Sequence, residues 1–234
     1  MNLFYAPLLK DTDKNYVFDK NESRHISKVL RKQNGDILHI TNGLGDLFKV
    51  IITDNNPNKT KVQIVEKKHF DKPAKFIHIA IAPTKSNDRF EWFLEKAVEI
   101  GVSEITPLLT KHSERKKINL ERYQRILISA MKQSLQFYMP KINPLTPWKR
   151  FIEKADAQQK MIAYCKADEK IHEKLNSVKS YLLVVGPEGG FTQEELTTAF
   201  EKDFIPVGLS DHRLRTETAG IVGLTAIHFC SEKH

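Results

Sequence analysis

The 234-residue sequence predicts an α/β protein with a small β-rich unit ahead of the main domain. Two observations carry that reading. From Lys75 onward, short apolar runs alternate with helical periodicities, the pattern of a largely parallel sheet covered on both faces. Before about residue 72 the apolar residues recur at every second position between turn clusters, as in an independent β unit. The expected boundaries are therefore 1–72 and 73–234.

In the first unit Asp36–Ile40, Leu47–Ile52 and Lys61–Lys67 read as strands, with Phe48, Val50 and Ile52 on one face. Asn42-Gly43-Leu44-Gly45 and Asn55-Asn56-Pro57-Asn58 supply the turns. A small barrel or half-barrel is the natural closure. One short helix, Arg24 to Arg31, interrupts it, with Ile26, Val29 and Leu30 inward and Arg24, Lys28 and Arg31 outward.

The second unit opens with a strand at Phe76–Ala82, a helix from Asp88 to Ile100 stopped by Gly101, and a strand at Glu104–Leu109. A long helix follows from about Leu120 to Tyr138, where Tyr123, Ile126, Leu127, Met131, Leu135 and Tyr138 form an apolar stripe for a core or a dimer interface. Thr146-Pro147 starts another helix, with proline at its favoured first position. Strand Lys160–Cys165, a polar helix near Asp168–Leu175, strand Tyr181–Val185, helix Gln193–Lys202, strand Phe204–Leu209 and a final helix complete the unit. That last helix is apolar on nearly all faces and is expected to be buried.

Lys and Arg total 37 against 29 Asp and Glu, a formal charge of +8 that favours a polyanionic partner. Cys165 and Cys230 lie in apolar contexts without C-x-x-C spacing and read as small buried hydrophobes, so neither a disulfide framework nor a metal site is expected. The N-terminal segment lacks a basic n-region, and no run approaches the ~18 apolar residues of a membrane span. The chain reads as cytoplasmic.

Two loops carry the chemistry. Val184-Val185-Gly186-Pro187-Glu188-Gly189-Gly190-Phe191-Thr192 takes an apolar strand through three glycines into a helix, and Thr192 with Glu195 makes a capping box at its entry. Neither G-x-x-x-x-G-K-[ST] nor G-x-G-x-x-G is present, so a phosphate cradle is the weaker reading. Alone, the loop reads as a tight strand-to-helix turn. The second segment, Gly208-Leu209 followed by Leu214-Arg215-Thr216-Glu217-Thr218-Ala219-Gly220, shifts that balance. It sets an Arg-Thr-Glu-Thr cluster at the head of a buried helix, where an unpaired polar group costs about 1–3 kcal/mol. Capping accounts for Thr216 or Thr218 but not for Arg215 as well.

The G-P-E-G-G and L-R-T-E-T-A blocks, in that order, resemble the SPOUT-type RNA methyltransferases and, within them, the RsmE family, which methylates N3 of a uridine in the 16S RNA of the small ribosomal subunit. His25-Ile26-Ser27-Lys28-Val29-Leu30-Arg31 is similar to that family's H-I-x-x-V-L-R segment. Lys96-Ala97-Val98-Glu99-Ile100-Gly101-Val102 with Ile105-Thr106-Pro107, and Gln133-Ser134 with Pro140, also fall in family positions. The sequence departs from the E-Q-S-x-R form: Lys132 stands where glutamate is usual, and no arginine closely follows Ser134.

The resemblance implies a PUA-like barrel over 1–72 that binds RNA, and over 73–234 a SPOUT domain with a deep trefoil knot whose last helix threads a loop. It also implies a homodimer and S-adenosyl-L-methionine as cofactor. Gly186, Glu188, Gly189, Gly190, Gly208, Leu209, Leu214, Thr216 and Thr218 would hold the cofactor. The basic positions Arg24, His25, Lys28 and Arg31, with the run Lys111-His112-Ser113-Glu114-Arg115-Lys116-Lys117, are the candidate RNA surface, and Arg215 would serve catalysis by binding a phosphate or stabilising charge on the uracil oxygens. Arginine stays protonated in proteins, so it cannot accept the N3 proton; Glu217, His212 and solvent are the candidate acceptors. The competing expectations are a SPOUT enzyme acting on a ribose 2′-oxygen or a guanine of ribosomal or transfer RNA, a non-catalytic RNA-binding assembly factor, and an ordinary nucleotide-binding enzyme.

Overall fold

A computed structural model describes residues 2–230 of the chain, Cys230 by its backbone alone. The chain divides into two compact units, one formed by Met1–Lys72 with Met131–Met139 and the other by Pro73–Ala130 with Pro140–His234.

The first unit is a five-stranded sheet in the order β1-β3-β4-β5-β2, built from β1 (Leu3–Tyr5), β2 (Asn15–Val17), β3 (Ile37–Thr41), β4 (Asp46–Asp54) and β5 (Lys61–His69). β1 runs parallel to β3, and the remaining pairs are antiparallel. Period-2 alternation sends Phe48, Val50 and Ile52 inward as expected, against Phe4, Phe18, Leu38, Ile40 and Val62. Phe4 on β1 and Phe18 just beyond β2 meet edge to face at 5.2 Å, so the two sheet edges curl towards each other around one core.

The interrupting helix differs from its expected form. It starts earlier, as α1 (Lys20–Arg24), capped by the Asp19 carboxylate accepting from the backbone N–H of Asn21 and Glu22. It then widens over His25–Val29, where the Leu30 N–H donates to the His25 carbonyl five residues back. The wider turn rotates the later side chains. Ile26 stays buried and Leu30 is half-buried, but Val29 points to solvent, contrary to expectation.

The second unit is a parallel sheet in the order β12-β10-β11-β6-β7-β8, comprising β6 (Phe76–Ile81), β7 (Glu104–Leu109), β8 (Lys141–Ile142), β10 (Gln159–Ala163), β11 (Ser180–Val185) and β12 (Ile205–Val207). A short β9 (Thr146–Pro147) pairs with the end of β7. Leading out from β6, the chain runs to β7 and β8, then crosses back to β10 and returns through β11 beside β6. The strand order thus reverses between β6 and β11. In parallel sheets that reversal opens a crevice beyond the carboxyl ends of the two strands.

Helix α2 (Asn87–Ile100) buries Phe90, Phe93, Leu94, Ala97 and Val98, and Gly101 ends it at φ +107°. Helix α3 (Leu120–Gln133) stops short of the expected Tyr138. Leu135 turns to φ +56°, and the chain then pairs with the Asn42–Asp46 turn of the first unit. There the Gly45 N–H donates to the Phe137 carbonyl, the Met139 N–H to Gly43, and the Tyr138 hydroxyl to the Phe70 carbonyl. Leu135 and Tyr138 therefore leave the helical stripe, because pairing with the β unit overrides helix propensity.

Helix α4 (Trp148–Lys154) begins one residue later than expected; Pro147 is extended and caps it from outside. Helices α5 (Ile171–Lys174), α6 (Gln193–Glu201) and α7 (Thr216–Cys230) complete the unit. α7 packs on α2, β6 and β11 and buries Leu224 and Ile227. Cys165 lies exposed beyond the end of β10 rather than buried, because the strand stops at Ala163; the side chain of Cys230 lies outside the described residues. Among the described residues no helix is long and apolar enough to cross a membrane.

Across the amino halves of β6 and β7 and the residue that follows β8, a polar cluster is closed upon itself. Asn143 Nδ2 donates to Glu104 Oε1 at 2.6 Å and to Thr106 Oγ1 at 2.7 Å, which directs the Thr106 hydroxyl to His78 Nε2, also 2.7 Å away. Burial lowers the His78 pKa to about 4, so the ring is the neutral acceptor this geometry requires. Burial opposes ionisation of Glu104, but hydrogen bonds from Asn143 and Lys141 and the Lys141 charge outweigh it and hold its pKa below the ordinary value, helped by His78 only where that ring is itself protonated.

Candidate active site

Hydrogen bonds join the loops that leave β7, β11 and β12 at the carboxyl end of the sheet, and Arg115 ties the loop after β6 to them. β11 is buried throughout its last five residues and delivers the chain into Gly186–Gly190. The capping box then closes the loop's exit: the Thr192 N–H donates to Glu195 Oε2 at 2.9 Å, and the Glu195 N–H to Thr192 Oγ1 at 3.2 Å. The other oxygen of Glu195 accepts from the Lys111 N–H at 2.9 Å, which ties the loop after β7 to the same helix cap.

Three side chains hold the glycine loop by its carbonyls. His112 Nδ1 lies 3.2 Å from both the Gly189 and the Gly190 oxygens. Arg213 donates to the Glu188 carbonyl at 2.9 Å, and the Thr216 hydroxyl to the Gly186 carbonyl at 3.2 Å. A Cβ on Gly189 would sit 3.0 Å from His112 Cβ, whereas Gly190, at φ +70°, faces open space. Glycine is thus needed at the first position for approach and at the second for its dihedral. Gly208 is fixed from the other side, its N–H donating to the Glu169 carbonyl and its carbonyl accepting from Ile171. Leu209 and Leu214 are half-buried.

Thr216 and Glu217 are buried at the head of α7, while Arg215 is exposed. A shallow concavity of about 380 Å³ adjoins this turn, lined by Asp88, Arg89, Trp92, Arg215, Glu217 and Thr218. Arg89 Nε lies 3.8 Å from Glu217 Oε1. His212 is exposed and stands outside this lining.

Residues 71–228 match the family model described as RNA methyltransferase domain, and residues 18–65 match the RNA methyltransferase PUA domain. The chain is 32% identical over 228 residues to ribosomal RNA small subunit methyltransferase E of Buchnera aphidicola subsp. Acyrthosiphon pisum (strain APS), a match covering 93% of this chain and 89% of that protein. The chain belongs to the ribosomal RNA small subunit methyltransferase E family. The crystal structure of a probable rRNA-methyltransferase from Porphyromonas gingivalis superposes with a TM-score of 0.91 at 39% identity, covering 99% of this chain and 98% of that one. Methyltransferase E of Neisseria gonorrhoeae, solved bound to S-adenosyl methionine, superposes with a TM-score of 0.89 at 27% identity, covering 97% and 96%.

The two loops have a donor set that suits such a cofactor. The glycine loop offers peptide groups with open space over Gly190, Leu209 and Leu214 offer apolar surface, and the His112 ring and the Arg213 guanidinium are turned onto backbone carbonyls of the loop. That arrangement fits a ligand without phosphates. Among the described residues no group of three or more His, Cys, Asp or Glu side chains is placed to hold a metal ion.

The structure joins Gly186 to Thr216 through the Gly186 carbonyl, while Glu188 is held by Arg213 and Gly189 and Gly190 by His112. Thr218 and Arg215 face the concavity instead. In the first unit, Arg24, Lys28 and Arg31 are exposed on one segment, and His25 Nδ1 lies 3.5 Å from Glu22 Oε2. The unusual Lys132 donates to the other oxygen of Glu22 at 2.8 Å. Arg115 belongs to the second unit, where its guanidinium donates to the carbonyls of Thr84, at 2.9 Å, and Lys85 and so fastens the loop after β6. Asp88, Arg89 and Trp92 were not expected at the site, nor was the hold of His112 and Arg213 on the loop carbonyls. Trp92 had a legible signal, since it is an aromatic out of phase with the apolar face Phe90-Phe93-Leu94-Ala97.

Proposed function

We propose that the chain transfers a methyl group from S-adenosyl-L-methionine to N3 of a uridine in the 16S RNA of the small ribosomal subunit. The observation that carries this reading is the Thr216–Gly186 hydrogen bond, which joins the glycine loop to the head of α7 beside the strand reversal. Gly186, Glu188, Gly189, Gly190, Gly208, Leu209, Leu214, Thr216 and Thr218 hold the cofactor, whose sulfonium supplies an electrophilic methyl when bound. Arg215 stabilises the negative charge that develops on the base as N3 loses its proton, and alignment supplies most of the remaining rate enhancement.

The PUA-like unit, 1–72, binds RNA through Arg24, His25, Lys28 and Arg31, while 73–234 carries catalysis; Arg115 acts by holding the loop after β6. The family match supports a trefoil knot in the second domain and a cytoplasmic homodimer. Charge reversal at Lys28 and Arg31 is expected to flatten the dependence of RNA affinity on salt, because each lost phosphate contact lowers the slope by about one unit. A titration at several salt concentrations reads this directly.

The deciding experiment incubates methyl-labelled S-adenosylmethionine with small subunits from cells lacking this protein and analyses the recovered nucleosides. Label in 3-methyluridine supports the reading. Label in a 2′-O-methylated nucleoside or a methylguanosine would move the chain to a different specificity.

A further inference from the structure

The concavity beside Arg215 differs in character from the backbone-rich cofactor loops. It combines one half-open indole with two guanidinium groups, the buried Glu217 carboxylate, the exposed Asp88 carboxylate and the Thr218 hydroxyl. We propose that this concavity is the subsite for the pyrimidine ring, with Trp92 stacking on the base and Arg89, Glu217 and Arg215 reading its N3 edge. The inference rests on the uridine-N3 reading above.

A base lifted from RNA needs a flat apolar surface. Trp92 is 45% exposed at the wall of the concavity, while Phe90 and Phe93 on the same helix are fully buried. Stacking on such a ring contributes about 1–3 kcal/mol per base and does not depend on base identity. Identity must therefore come from the edge.

The N3 edge of uracil presents an acceptor, a donor and an acceptor in sequence: O2, N3–H and O4. The concavity offers the complement, since guanidinium groups can only donate and an ionised carboxylate can only accept. Glu217 is 6% exposed, and its 3.8 Å approach to Arg89 Nε exceeds a direct hydrogen bond, so the carboxylate keeps acceptor capacity for a further N–H. Cytosine would meet the same wall badly. Its N3 bears no proton for Glu217, and its C4 amino group donates towards a cation.

The first turn of α7 separates the two ligands. Thr216 turns to the Gly186 carbonyl on the cofactor side, while its neighbours Arg215 and Glu217 line the concavity. The N3 proton passes to the Glu217 carboxylate, which becomes a carboxylic acid. The electron pair left on N3 would form the new N–C bond as the S–CH3 bond of a bound sulfonium breaks and leaves its pair on sulfur as a neutral thioether, and the charge shared with O2 and O4 before transfer is met by the two arginines.

The test compares wild type, Glu217→Gln, Trp92→Ala and Trp92→Phe on small subunits from cells lacking the protein, with nucleoside analysis and calorimetric titration of S-adenosylmethionine. Glu217→Gln is expected to lower kcat by about 10²-fold or more, the usual range for losing a general base, with cofactor affinity unchanged. Activity should return as pH rises, because hydroxide then removes the N3 proton, a signature that a merely structural role would not give. Trp92→Ala is expected to raise KM for subunits about 10-fold, with Trp92→Phe restoring most of it. Trp92 is half-exposed, so its variants fold even where a change at the buried Glu217 does not. A Trp92→Ala enzyme with wild-type KM, or a Glu217→Gln enzyme with the wild-type pH profile, overturns the subsite. If wild type instead labels another nucleoside, the uridine reading fails before any variant is compared, whereas 3-methyluridine with an unmoved Trp92→Ala KM removes the subsite alone.

Discussion

The two ends of the parallel sheet use polar groups in opposite ways. Towards the amino ends of β6 and β7, His78, Thr106 and Glu104 spend their hydrogen bonds within one cluster with Asn143, which follows β8. At the carboxyl ends, His112, Arg213 and Thr216 hold backbone carbonyls in place, while Arg215 reaches solvent beside a concavity. A closed network specifies architecture, because every member has a partner inside the fold. An arrangement that fixes the loops and leaves side chains facing open space is suited to a ligand.

That contrast predicts kinetic losses from one end and stability losses from the other. The largest effect is expected from Arg215→Ala, which should lower turnover by about 10²–10³-fold, the usual cost of removing one charge-stabilising donor, without changing the melting temperature or cofactor affinity. Steady-state kinetics beside calorimetry would check it, and wild-type turnover would remove Arg215 from the mechanism.

At the other end the expected response is to pH. Unfolded, His78 takes up a proton near its ordinary value of 6.5; in the fold, burial delays this to about 4. The fold therefore keeps its full stability above 6.5 and loses about 3 kcal/mol as pH falls from 6.5 to 4. The depressed pKa of Glu104 acts in the same sense below its ordinary value of 4.5. Urea unfolding across this range should show the slope in wild type, and His78→Gln should flatten it.

Thr106→Val, which leaves His78 Nε2 without its donor, should cost about 1–3 kcal/mol of stability. It should leave kcat unchanged, and a kinetic defect in a stably folded variant would blur the division between the two ends. The smallest effect is expected from His112→Ala, which frees two loop carbonyls. Cofactor affinity should weaken by about 1 kcal/mol, with kcat nearly retained. An unchanged dissociation constant would show that the glycine loop holds its shape without His112.

Much of the fold was legible in the sequence because periodicity reports burial. The inward set Phe48, Val50 and Ile52, the stop at Gly101 and the Thr192–Glu195 capping box are local signals that the packing preserves. The failures share a cause. Leu135 and Tyr138 continue a helical stripe in sequence, yet that segment is claimed by strand-like pairing with a turn some ninety positions earlier. Val29 was assigned by a 3.6-residue period that the widened turn does not follow. At the candidate site, residue types marked the glycine loop and the head of α7, which the Thr216–Gly186 hydrogen bond joins. The roles of His112 and Arg213 were not so marked, because they lie in reaching backbone carbonyls on another loop, which leaves no pattern in the sequence.

The segment Met131–Met139 has a consequence for the order in which the molecule is made. The chain enters and leaves the second unit on either side of this segment, yet the segment itself completes the first. During synthesis the β unit emerges early but lacks Phe137 and Tyr138, and with them the hydrogen bonds to Gly45 and Phe70, until more than half of the chain has been translated. The N-terminal unit must therefore wait for a later stretch of polypeptide, so a nascent chain halted at Lys72 carries an unfinished barrel and not a finished domain.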